Sequence, residues 1–273
     1  MKLFAFGDSW TEGVGFDFNL EKNITDNEEK TRLRNENSWP KFLSDLLKIK
    51  FQNFGCGASS NKLIFDCVCG CLKNNTFQEN DLVVIMWSSS LRDDVSFFPS
   101  EDWFFWGKRY ITKKHILKNI ISSEKKSNLK YSRVLKEYKE FFFDQLFTDS
   151  YYQIINQNYI LFIQFMLDNL GVKYVFCDAF DNMIFNNIEN TIDKSDLINK
   201  NNYWGFKDKT FKDFLIETNN PYVWEGNFIW NEEIIEGVHP NKNGYKLIAN
   251  ELFKFILDNK ILEQSIKNKN YLL

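Results

Sequence analysis

A chain of 273 residues with 44% apolar content is long enough for one large α/β domain or two small ones around a sizeable core. A formal net charge of −3 and a pI near 5.6 give none of the basic footprint a nucleic-acid partner needs, and no run of about eighteen apolar residues is present to span a membrane. The 28 Phe, 11 Tyr and 8 Trp, against 12 Gly and 4 Pro, predict an interior built from large aromatic side chains.

The chain opens on an apolar run, Leu3-Phe4-Ala5-Phe6, which reads as a short buried strand broken at Gly7. Asp8 and Ser9 then stand where a strand hands over to a helix. A serine at such a turn projects its hydroxyl above the sheet edge beside unpaired N–H groups, which makes Ser9 a candidate nucleophile. The same triplet also makes ordinary turns. A strand and a site this close to residue 1 leave no room for a secretory leader, so a cytoplasmic protein is expected. Residues 16–36 are polar and charged and read as a surface loop near the site entrance. Ser38-Trp39-Pro40 marks a helix start, followed by apolar positions at Phe42, Leu43, Leu46 and Leu47, and a strand is expected at 50–54.

Asn53 to Asn61 is a Gly- and Ser-rich turn, including Gly57 and Ala58, that leads into a helix at 60–73. Three of the five cysteines sit in that helix as Cys67-Val68-Cys69-Gly70-Cys71, a spacing that suits neither a zinc nor a redox site. They are expected to be reduced packing thiols, with no metal and no cofactor. Residues 81–87 form the clearest strand, continuous and apolar as a doubly covered parallel strand is, and it ends in Ser88-Ser89-Ser90, then Leu91 and Arg92. Phe97, Phe98, Trp103, Phe104, Phe105 and Trp106 then crowd together in a stretch that either caps a pocket or plugs a core. Lys113-Lys114, His115 and Lys125-Lys126 read as solvated surface.

Helices are expected at 131–147 and 150–169, the second with Tyr151, Ile154, Ile155, Tyr159, Phe162, Ile163 and Met166 on one face. A strand at 172–177 follows, then a long irregular region from 178 to 230 and a last amphipathic helix at 241–259. This alternation predicts an open, mostly parallel sheet with helices on both faces and a site at the carboxyl ends of the strands.

Of the two histidines, His239 lies before a proline at the start of the last helix, with Glu236 three residues upstream. If His239 takes the proton of Ser9 and Glu236 orients the ring, the chain has a nucleophile, a base and an acid. Gly7-Asp8-Ser9-Trp10 at one end and Glu236-Gly237-Val238-His239-Pro240 at the other resemble the first and last blocks of the SGNH, or GDSL-type, hydrolases.

That resemblance implies a flavodoxin-like three-layer α/β/α sandwich over residues 1–273 as a single domain, with helical or irregular insertions at about 93–150 and 180–230. It implies a serine esterase that forms an acyl-enzyme on Ser9 and removes a small acyl group, acetyl in the first instance, from a carbohydrate or other small-molecule ester. An O-acyltransferase using the same acyl-enzyme and an inactive binding or structural module are the alternatives. The family's acid is Asp where this chain has Glu236, its second block supplies a Gly where this chain has Ala58 beside Gly57, and its third block supplies an Asn where this chain reads Trp87-Ser88-Ser89-Ser90-Leu91-Arg92. The implied oxyanion donors are therefore the N–H groups of Ser9 and Ala58 or Gly57, with the Ser88 or Ser89 hydroxyl in place of the Asn. Asp8, Trp10, Trp87 and Arg92 are the implied substrate-contacting positions.

Overall fold

The computed structural model describes residues 1–57, 59–89, 149–182, 193–218, 224–230 and 233–263. Four apolar segments extend as strands: β1 (Lys2–Gly7), β2 (Lys50–Gly55), β3 (Leu82–Trp87) and β4 (Lys173–Asp178). They pair in parallel in the order β2-β1-β3-β4. The helices of the described residues are α1 (Ser9–Glu12), α2 (Phe18–Asn23), α3 (Asn27–Glu36), α4 (Trp39–Leu47), α5 (Asn61–Lys73), α6 (Asp149–Leu170), α7 (Phe211–Glu217) and α8 (Lys242–Asp258).

Alternation along the strands divides the core into two layers. Leu3, Ala5, Val84, Met86, Val175 and Cys177 face one side, under Trp39 and Leu43 of α4 and Ile248 and Leu252 of α8. Phe4, Phe6, Val83, Ile85, Tyr174 and Phe176 face the other, under Ile64 and Val68 of α5 and Ile160 and Ile163 of α6. The result is the expected flavodoxin-like α/β/α sandwich. Because β1 and β3 are the inner strands, their carboxyl ends bring residues 8–9 and 88–89 side by side. No helix among the described residues is long and apolar enough to cross a membrane. All five cysteines are free, and burial pushes the Cys67 thiol up to about 11.

Three expectations need correction. Residues 16–36 are not a loop: they form α2 and α3, whose first turns are held by Asp17 accepting from Leu20 N and Asp26 accepting from Glu28 N. No residue of α3 is buried, so it carries no apolar period to reveal it. In α6 the buried stripe is Ile160, Ile163 and Leu167, whereas Phe162 is exposed. The end of the region expected to be irregular pairs with the residues that lead up to the last helix, His239 among them, as antiparallel strands β5 (Trp224–Trp230) and β6 (Glu233–Pro240). The helix expected at 131–147 and the aromatic stretch at 97–106 lie outside the described residues.

Candidate active site

The turn after β1 is fixed by what crowds it. A Cβ on Gly7 would stand 2.1 Å from Thr11 Oγ1 and 2.9 Å from the Met86 carbonyl oxygen, so only glycine fits. Asp8 caps α1: its carboxylate accepts from Trp10 N at 3.0 Å, and its carbonyl accepts from Thr11 N and Glu12 N. Ser9 is thereby held at the first position of α1, where its own N–H lies outside the helix's internal ladder.

The Ser9 hydroxyl oxygen lies 3.0 Å from His239 Nε2, across 230 residues of sequence. His239 is fixed from several directions. It is the penultimate residue of β6, paired opposite Glu225, and Pro240 and the cap of α8 by Asn241 follow it directly. Gly15 backs it: at φ +88°, a Cβ there would stand 2.6 Å from His239 Cβ. Tyr245 of α8 donates its hydroxyl to the Val14 carbonyl at 2.5 Å, tying that backing loop to the last helix.

Glu236 pairs opposite Asn227, and the ladder shifts between Glu225 and Asn227. In an unbroken strand, residues three apart fall on opposite faces. Here β6 spends three steps from Glu236 to His239 while β5 spends two from Asn227 to Glu225, the signature of a bulge. The shift leaves Glu225, a residue that the sequence does not single out, as the register partner of His239.

The other expected site residues are disposed differently. The Ser88 hydroxyl donates to Asp8 Oδ2 at 2.8 Å, and the Ser89 hydroxyl donates to Asp181 Oδ2 at 2.5 Å. Each hydroxyl has one proton, and here each proton is given to a carboxylate. The Gly57 N–H donates to Glu12 Oε2 at 2.6 Å and is likewise committed. Trp10 and Trp87 are fully buried, Trp10 edge-on to Phe180 and Trp87 beside Phe176 in the opposite layer, so neither offers a surface to substrate. Asp8 is fully buried as well and serves as cap and acceptor. Ala58 and Arg92 lie outside the described residues.

Two further groups of residues support the site. Asn61, first residue of α5, accepts from Ser88 N at 2.8 Å and donates to the Ser88 and Ser89 carbonyls, so the end of β3 is pinned to α5. Arg34 of α3 reaches Glu12 at 2.6 Å and Glu21 at 2.7 Å. Burial works against the Arg34 charge, but Glu21 and Glu12 outweigh it and its pKa is raised. Glu12 stands two residues after the Gly7-Asp8-Ser9-Trp10 block. Arg34 and Glu21 fall in the stretch that reads as a loop and carry no sequence signal. Among the described residues, no group of three or more His, Cys, Asp or Glu side chains is arranged to hold a metal ion.

A hydroxyl at hydrogen-bond distance from an imidazole nitrogen has the geometry that proton transfer between the two requires. A family model for the GDSL-like Lipase/Acylhydrolase family matches residues 3–252. No curated protein matches the chain. Among solved structures, one described as a lipolytic protein of the G-D-S-L family from Desulfitobacterium hafniense DCB-2 is 15% identical, with 93% of this chain and 98% of that chain covered and a TM-score of 0.34.

Proposed function

The chain belongs to the GDSL-like lipase/acylhydrolase family and is a serine hydrolase acting on esters, and from that premise we propose that Ser9 is its nucleophile, His239 its general base and Glu236 the acid that orients the imidazole. The 3.0 Å separation of Ser9 Oγ from His239 Nε2 is the observation that supports this reading. Nε2 takes the hydroxyl proton as Oγ attacks the acyl carbon, and the carbonyl π pair moves onto oxygen. The tetrahedral intermediate then expels the alcohol, which leaves with the proton held on the imidazolium. Water, deprotonated by His239, attacks the acyl-enzyme and releases the acid, restoring Ser9.

The Ser9 N–H is the oxyanion donor in this scheme, and the Ala58 N–H is the second. With Gly57, Ser88 and Ser89 committed elsewhere, the scheme has backbone donors only. The substrate we assign is a small acyl ester, acetyl on a carbohydrate. Sequence supports this: the aromatic residues Phe97, Phe98 and Trp103 to Trp106 follow shortly after Ser89, and flat aromatic faces suit the C–H faces of sugar rings.

Acetate release from acetylated oligosaccharides, set beside rates on p-nitrophenyl esters of increasing acyl length, tests the assignment. Acetate release and a rate that falls with acyl length are expected, with both lost in Ser9→Ala. A preference for long acyl chains overturns the acetyl assignment, and wild-type turnover in Ser9→Ala overturns the nucleophile.

A further inference from the structure

Resting on the reading of Ser9 and His239 above, the geometry points to Glu12 and Arg34 as positioning residues that lock the turn after β2 and the backing of His239 to one another. The connection is continuous. The Gly57 N–H donates to Glu12 Oε2 at 2.6 Å, and Arg34 Nη1 donates to Glu12 Oε1 at 2.6 Å. Arg34 Nε and Nη2 both donate to Glu21 Oε2, at 2.8 and 2.7 Å, and Glu21 Oε1 accepts from the Gly15 N–H at 2.6 Å. Gly15 is the residue against which His239 packs.

Each end of this chain of bonds meets the chemistry at a different point. At one end, Glu12, on the helix that begins at Ser9, captures the Gly57 N–H and so holds the turn after β2 against that helix. A Cβ on Gly55, two residues earlier, would stand 2.3 Å from Glu12 N, so the turn lies directly on α1. At the other end, Glu21 holds the Gly15 N–H and fixes the backing that keeps the imidazole at Ser9. Arg34 is the one cation of this network, and its planar fork serves two carboxylates at once, which a lysine ammonium does not reproduce. Both Glu12 oxygens accept, so an amide in its place turns a donor toward either Gly57 or Arg34 and loses that bond.

Misplacing a catalytic group by a fraction of an ångström to about 1 Å costs up to about 100-fold in rate without touching ground-state binding. The test measures kcat and KM on p-nitrophenyl acetate for wild type, Ser9→Ala, Glu12→Gln and Arg34→Lys, per folded chain by circular dichroism. Glu12→Gln is expected to lower kcat about 10- to 100-fold with KM little changed, and Arg34→Lys to lower it by a smaller factor. Folded variants with wild-type kcat, or with a change confined to KM, overturn the inference. If Glu12→Gln does not fold, Arg34→Lys alone decides. Loss of turnover in Ser9→Ala alongside wild-type kcat in the other two removes this inference and leaves the nucleophile standing, whereas wild-type turnover in Ser9→Ala removes the premise itself.

Discussion

Gly15 shows how much of the site depends on a residue with no side chain. Its φ of +88° is disfavoured for any other residue, and a Cβ would collide with His239 Cβ at 2.6 Å. Gly15→Ala is therefore expected to cost at least about 1–2 kcal/mol of stability and to lower kcat by displacing the imidazole. Thermal melts and turnover on p-nitrophenyl acetate check it, and a variant with wild-type kcat contradicts it. Ser88 makes the complementary case. With its hydroxyl given to Asp8 Oδ2, Ser88→Ala leaves a buried carboxylate short of a donor, and about 1–3 kcal/mol of stability is expected to go in a urea titration.

Among the elements, those with an apolar period were legible in the sequence. β1, β3, β4, α5 and α8 all fall within a residue or two of where their patterns put them, because each buries a stripe or a face in the sandwich. α2 and α3 lack such a stripe and showed only their capping aspartates, Asp17 and Asp26. The β5–β6 hairpin was hidden for another reason: it pairs apart from the main sheet, and its bulge interrupts the alternation by which a strand is recognised. The site divides in the same way. Ser9 and His239 stand in motifs, but where the Ser88 and Ser89 protons point depends on Asp8 and Asp181, which lie 80 and 92 residues away in the chain. The packing of α8 is directly testable. Leu252→Ala, at a fully buried position, is expected to cost about 2–5 kcal/mol, read as a fall in the urea midpoint.

The whole molecule carries an alkaline liability. Burial, reinforced by neighbouring carboxylates, raises Tyr203 and Tyr245 well above the ordinary phenol range, and burial raises Cys177 well above the ordinary thiol range. The unfolded chain releases these protons at ordinary pKa values, about 8.5 for the thiol and about 10 for the phenols, while the folded chain retains them. The unfolded state then binds fewer protons, so stability is full below that range and falls as pH rises through it. Melting temperature is expected to decline steadily above about pH 9, less steeply in Tyr245→Phe, and a flat profile to pH 11 contradicts the burial of these groups. The proposed chemistry rests on one pair of atoms, Ser9 Oγ and His239 Nε2. Intact-mass analysis after fluorophosphonate treatment tests it most directly: a single adduct mapping to Ser9, absent in Ser9→Ala and formed far more slowly in His239→Ala, is the predicted result, and an adduct on another residue, or undiminished labelling in His239→Ala, would contradict it.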